Sequence, residues 1–182
     1  MYQHTNGYHA KDLLVLHETI SHDGTGIADE LGVEKYLAQK NYGIHGVVDK
    51  EGLISWAKGL GNAIFWQCGG VNTRSIGIEQ VSYIPVQYKD NVERRQAWNH
   101  REVQLNAVAK LIACIVRAHP AIKLVYSRGT LPPGITAHWN VSQIFSESLG
   151  HTDCWPVKEK GYYPIENVIT LAKQYYKEGW HF

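Results

Sequence analysis

Ten histidines and three cysteines in 182 residues carry the chemistry that stands out in this chain. Histidine is the commonest metal ligand and the side chain that exchanges protons near neutral pH. Cys68, Cys114 and Cys154 form an odd set with no C-x-x-C pair, which suits reduced thiols or one metal ligand better than a disulfide framework. His17 ends the apolar run Leu13-Leu14-Val15-Leu16, His138 follows Ile135-Thr136-Ala137, and Cys154 lies in the polar loop after it. Two imidazoles and a thiolate are donors of the kind that hold catalytic zinc, which keeps three protein ligands and an open fourth position for water. Spacing alone leaves open that these are solvated loop residues.

Such donors need strand ends to position them. Asp12-Leu13-Leu14-Val15-Leu16-His17 reads as a buried strand delivering His17 at its tip. Residues 26–39 show helical spacing in Ile27, Leu31, Tyr36 and Leu37. Ile44-His45-Gly46-Val47-Val48 and Leu53-Ile54-Ser55-Trp56 flank the turn Asp49-Lys50-Glu51-Gly52 and predict a hairpin. Ser75-Ile76-Gly77-Ile78-Glu79-Gln80-Val81 alternates as a further strand, with Glu79 expected to be buried between apolar neighbours.

The longest amphipathic helix is predicted from Arg101 to about His119, with Leu105, Val108, Ile112 and Ile115 on one face. Asn99 ahead of Glu102 resembles a capping box, and Pro120 closes the end. Lys123-Leu124-Val125-Tyr126 reads as a strand, and a last helix is predicted over 165–177. Strands interleaved with helices imply an α/β fold, a central mixed β-sheet flanked by helices, and the absence of a linker-like tract implies one domain over 1–182.

Four motifs carry a resemblance. Leu14-Val15-Leu16-His17-Glu18-Thr19 resembles the opening motif of the type 2 N-acetylmuramoyl-L-alanine amidases, related to the peptidoglycan recognition proteins and common in phage endolysins. Ala137-His138-Trp139-Asn140-Val141-Ser142 is similar to the family's Gly-His-Arg-Asp-Val-Ser, and Thr152-Asp153-Cys154-Trp155-Pro156 to its closing Thr-x-Cys-Pro-Gly. Ser75-Ile76-Gly77-Ile78-Glu79 is similar to the strand ending in Gly-Ile-Glu, so the resemblance spans roughly residues 12–157.

The resemblance implies Zn2+ held by His17, His138 and Cys154, with Asp153 a competitor for the third position because some relatives use an aspartate. It makes Glu79 the glutamate that activates the attacking water. Thr152, two residues before the cysteine, takes the position of the Thr or Lys that stabilises the oxyanion. The implied reaction is hydrolysis of the amide between N-acetylmuramic acid and L-alanine in bacterial peptidoglycan, in a phage endolysin that lyses its host. The family's hairpin tyrosine has no direct match: its slot is Ile44, with Tyr42 nearby and His45 at the hairpin histidine.

Composition sets the outer limits. A net charge of +1 with dispersed Lys and Arg excludes the basic footprint of a nucleic-acid binder. The longest apolar stretch, around Leu111 to Val116, is too short to insert in a membrane. Met1-Tyr2-Gln3-His4-Thr5-Asn6 lacks a secretory pattern, so synthesis without a signal peptide in the host cytoplasm and later release to the wall are expected, as is a monomer. Two other readings stand beside the amidase: a non-catalytic peptidoglycan-binding module, and a wall-directed cysteine peptidase using Cys68. Trp56, Trp66, Trp98, Trp139 and Trp155 are read mainly as core with some lining a glycan groove, and the long connection over 83–99 is read as a specificity element.

Overall fold

A computed structural model describes residues 4–5, 9–19, 30–57, 61–82, 96–148, 153–154 and 163–181. Along them run β1 (His4–Thr5), β2 (Leu13–Glu18), α1 (Glu30–Gln39), β3 (Gly46–Val48), β4 (Ile54–Trp56), β5 (Ile64–Phe65) and β6 (Ser75–Gln80). There follow α2 (Glu102–Ala118), β7 (Gly134–Ala137), α3 (His138–Ser142), a 3₁₀ turn (Ser146–Ser148) and α4 (Ile165–Lys177). Five strands make the mixed sheet in the order β4-β3-β6-β2-β7, and β1 pairs with β5 in a separate ribbon. Only β3 and β4 pair antiparallel within the sheet; β3-β6, β6-β2 and β2-β7 are parallel.

Helices on the faces of a parallel sheet bury both sides of its central strands, which explains the unbroken apolar run of β2. Strand alternation then sorts the residues. Leu14, Leu16, Ile76, Ile78, Ile135 and Ala137 join the helical residues Val108, Ile112, Val168 and Ala172 in the larger core. Leu13 and Val15 point the other way, into a smaller core with Cys68, Val71, Leu131 and Val141. By the same parity His17 and Glu79 belong to the smaller-core face, and Glu18 and Gln80 to the face of α2 and α4.

The hairpin forms as expected, its turn closed by Leu53 N donating to Asp49 Oδ1 at 2.7 Å and by Gly52 at φ 81°. Three local expectations change. The N-cap of α2 is Arg101, without a side-chain capping bond, so Asn99 does not form the box. Residues 123–126 contribute only a bridge from Tyr126 to Ile135, because Lys123 O accepts from Val125 N and bends the segment off the sheet edge. In α1 the expected stripe holds only in part: Leu37 packs inward beside Val33, whereas Leu31 and Tyr36 are exposed. Residues 26–29 and 83–95 lie outside the described residues; Trp98, at the end of that connection, is core, in a T-shaped contact with Tyr163.

Candidate metal centre and active site

Parallel register builds the site. His17 on β2 stands opposite Glu79 on β6, and Leu16 stands opposite Ala137, the residue before His138. Three adjacent strands thus end in one row, Glu79, His17 and His138, at the carboxyl edge where open α/β sheets place their ligands. All three side chains are buried. His138 opens α3, whose N-cap Ala137 is still extended, so the strand hands the imidazole over at the turn into the helix.

Asp153 closes the cluster. Its Oδ1 lies 3.0 Å from His138 Nδ1 and its Oδ2 3.2 Å from His17 Nδ1, while the two rings meet at a centroid distance of 4.5 Å. Backbone bonds tether it: Trp139 N donates to Asp153 O, and Glu18 N to Asp153 Oδ2. One donor atom from each of His17, His138 and Asp153 falls within 4.8 Å of the others. Tetrahedral zinc with bonds of about 2.1 Å spaces its donors about 3.4 Å apart, so two imidazoles and a carboxylate at this separation fit a divalent ion.

Cys154, expected as the third donor, is outside this group. It takes a left-handed backbone at φ 47°, which turns its side chain the opposite way from Asp153, into the larger core. There its Sγ accepts a hydrogen bond from Gln80 Nε2 at 3.3 Å, and Gln80 Oε1 accepts from Tyr163 OH. Gln80 belongs to the face of α2 and α4, so the sheet separates the thiol from His17 and Glu79. Burial raises that thiol well above its ordinary pKa, with the charges of Glu18, Asp153 and Glu79 adding to the effect. Among the described residues it is the neighbouring carboxylate of Asp153, and not this thiol, that stands with the two histidines.

The electrostatics follow from the crowding. Burial pushes the Glu79 carboxyl up to about 8, the charge of His17 pulling it back and those of Asp153 and Glu18 pushing it further. Burial also opposes charge on Asp153, yet hydrogen bonds from His138 and His17 hold its carboxyl well below the usual carboxylate range. For His17 the penalty of burial is outweighed by the hydrogen bond and charge of Asp153, then by Glu79 and Gln67, and its pKa is raised.

Other candidates resolve into packing. His45 is buried, with Gly77 N donating to its Nδ1 at 3.1 Å and its Nε2 3.2 Å from Ala63 O. Glu18 accepts from Ser82 Oγ on the far face. Burial pushes the Cys68 thiol up to about 12, which removes the thiolate that a cysteine peptidase needs. Tyr42 and Trp66 are exposed. Thr152 and Trp155 lie outside the described residues. Sequence reasoning missed Gln67, whose Oε1 sits 2.7 Å from His17 Nε2; the glycine inside β6, Gly77, was the available sign that a side chain approaches the backbone there.

An α/β sheet with two histidines, an aspartate and a buried glutamate on its carboxyl edge defines a candidate metal-hydrolase centre. The family model for N-acetylmuramoyl-L-alanine amidase matches residues 7–156, and the chain belongs to that family of peptidoglycan amidases. The Staphylococcus aureus hydrolase AmiA, solved in complex with its ligand, is similar over 96% of this chain and 78% of its own, at 21% identity and a TM-score of 0.64. The amidase LysC from Clostridium intestinale is similar over 93% and 91%, at 14% identity and a TM-score of 0.59. The Ph2119 endolysin from a Thermus scotoductus bacteriophage is similar over 94% and 89%, at 18% identity and a TM-score of 0.55. At these identities the likeness is one of fold. No curated protein matches the chain. Among the described residues no helix is long and apolar enough to cross a membrane.

Proposed function

We propose that this chain is a zinc-dependent N-acetylmuramoyl-L-alanine amidase in which His17, His138 and Asp153 hold the metal. The observation that carries the reading is the convergence of these three donors, distant along the chain, beside the buried carboxylate of Glu79. A divalent ion bound there supplies a Lewis acid that polarises the carbonyl of the amide joining the lactyl group of muramic acid to L-alanine. Glu79, next to His17 in the sheet, accepts a proton from the attacking water and returns it to the departing nitrogen of L-alanine.

Thr152, which the family resemblance links to oxyanion stabilisation, is the proposed donor to the developing negative charge. Membership in the amidase family supports action on bacterial peptidoglycan, and the proposal extends to one catalytic domain that acts as a monomer in the manner of a phage lysin.

The test is metal content and wall digestion measured together. Wild type and Cys154→Ala are expected to purify with about one zinc per chain, whereas His17→Ala, His138→Ala and Asp153→Ala lose it. Digested walls should yield new L-alanine amino termini, stop yielding them in strong chelator, and recover with zinc. Zinc retained by Asp153→Ala but lost by Cys154→Ala overturns the ligand set; hydrolysis that persists in chelator overturns the metal reading.

A further inference from the structure

Resting on the metal reading above, we infer that Gln67 is a positioning residue that fixes which nitrogen of His17 faces the ion. A line of hydrogen bonds reaches His17 from a group with only one possible role. Val71 O is a carbonyl and can only accept, so the hydroxyl of Ser75, 2.8 Å away, spends its proton there. Ser75 Oγ can then only accept from Gln67, 2.8 Å away, which places the amide nitrogen of Gln67 toward Ser75. The other end of the amide, Oε1, faces His17 Nε2 at 2.7 Å, and an amide oxygen can only accept. His17 Nε2 therefore carries a hydrogen, which leaves Nδ1, the nitrogen 3.2 Å from Asp153, as the one that can give up its proton and turn its lone pair to a metal.

The surroundings hold this amide in place from two directions. Asn72 Oδ1 accepts from the backbone N–H groups of Gln67 and Cys68, at 3.0 and 2.7 Å, and pins the turn from which the side chain projects. Gly77 leaves the room the amide occupies: a Cβ there would stand 1.9 Å from Gln67 Oε1. A backbone carbonyl on the 71–74 turn thus sets the tautomer of a side chain two hydrogen-bonded residues away.

The experiment compares wild type, Gln67→Leu and Gln67→Glu in zinc affinity by chelator competition and in the nitrogen NMR signals of His17 in the zinc-loaded protein. Wild type should show His17 metallated at Nδ1 and protonated at Nε2. Gln67→Leu, which keeps bulk and removes the acceptor, should lose roughly 10–100-fold in zinc affinity, the usual effect of removing such an orienting partner. Gln67→Glu keeps an acceptor oxygen toward His17 and should restore most of the affinity. Coordination of wild-type His17 through Nε2, or unchanged zinc affinity in a folded Gln67→Leu, overturns the role of Gln67 while leaving the metal site standing. Wild type that binds no zinc overturns the metal reading itself, and the inference with it.

Discussion

Acidification offers a quantitative test of the packing beneath the site. His45 is buried between Phe65 and Trp56, whose rings lie at centroid distances of 4.5 and 6.4 Å. Because Gly77 N–H donates to Nδ1, the ring must carry its hydrogen on Nε2 and give it to Ala63 O; a second proton has no place to go. Burial lowers its pKa from the ordinary 6.5 to about 3, with the charge of Lys11 adding to the effect and the bond to Ala63 opposing it. With the folded pKa depressed, the contribution of His45 to stability is complete above pH 6.5 and drains away as pH falls toward 3.

Each pH unit in that window is worth about 1.4 kcal/mol, so about 2 kcal/mol is lost by pH 5. The assay is urea unfolding of wild type and His45→Gln, both freed of metal by chelator, at steps from pH 8 to pH 5. Carboxylates and other histidines titrate in both proteins, so the difference between the two stabilities isolates His45. That difference should shrink by about 2 kcal/mol across the series, and the His45 ring proton signal should stay flat in the folded protein. A difference independent of pH, or a His45 signal that titrates between pH 6 and 7, refutes the reasoning.

Other outcomes follow from the same geometry. Glu79→Gln should keep its zinc yet lose about 10²–10⁴-fold in the rate of wall hydrolysis, since the amide cannot take the proton from water; metal analysis beside single-turnover digestion checks both halves. Gly77→Ala should lower stability by about 1–3 kcal/mol in urea titration, because the new methyl meets both Gln67 and Ile44 in a filled space.

Much of this protein was legible before folding. The period-two alternation of 75–81, the apolar run of 13–16 and the stripe of the long helix specify elements that depend mainly on local pattern, and β6, β2 and α2 appear where those patterns lie. The residue types and order of His17, Glu79 and His138 were readable for the same reason: each ends or follows a strand whose own sequence announces it. The cap and stripe expectations failed at Asn99 and Leu31, where the sequence offers a local option that packing against the sheet does not use.

What only the tertiary structure decided is parity and proximity. Asp153 and Cys154 are neighbours in sequence, and one left-handed backbone torsion at Cys154 sends the carboxylate to the histidines and the thiol to the opposite side of the sheet. Gln67 lies 50 positions from His17 and carries no motif, so its bond exists only because β6 and β2 pair in parallel and Gly77 leaves space between them. Local sequence fixes which atoms are available; long-range strand pairing fixes which of them meet.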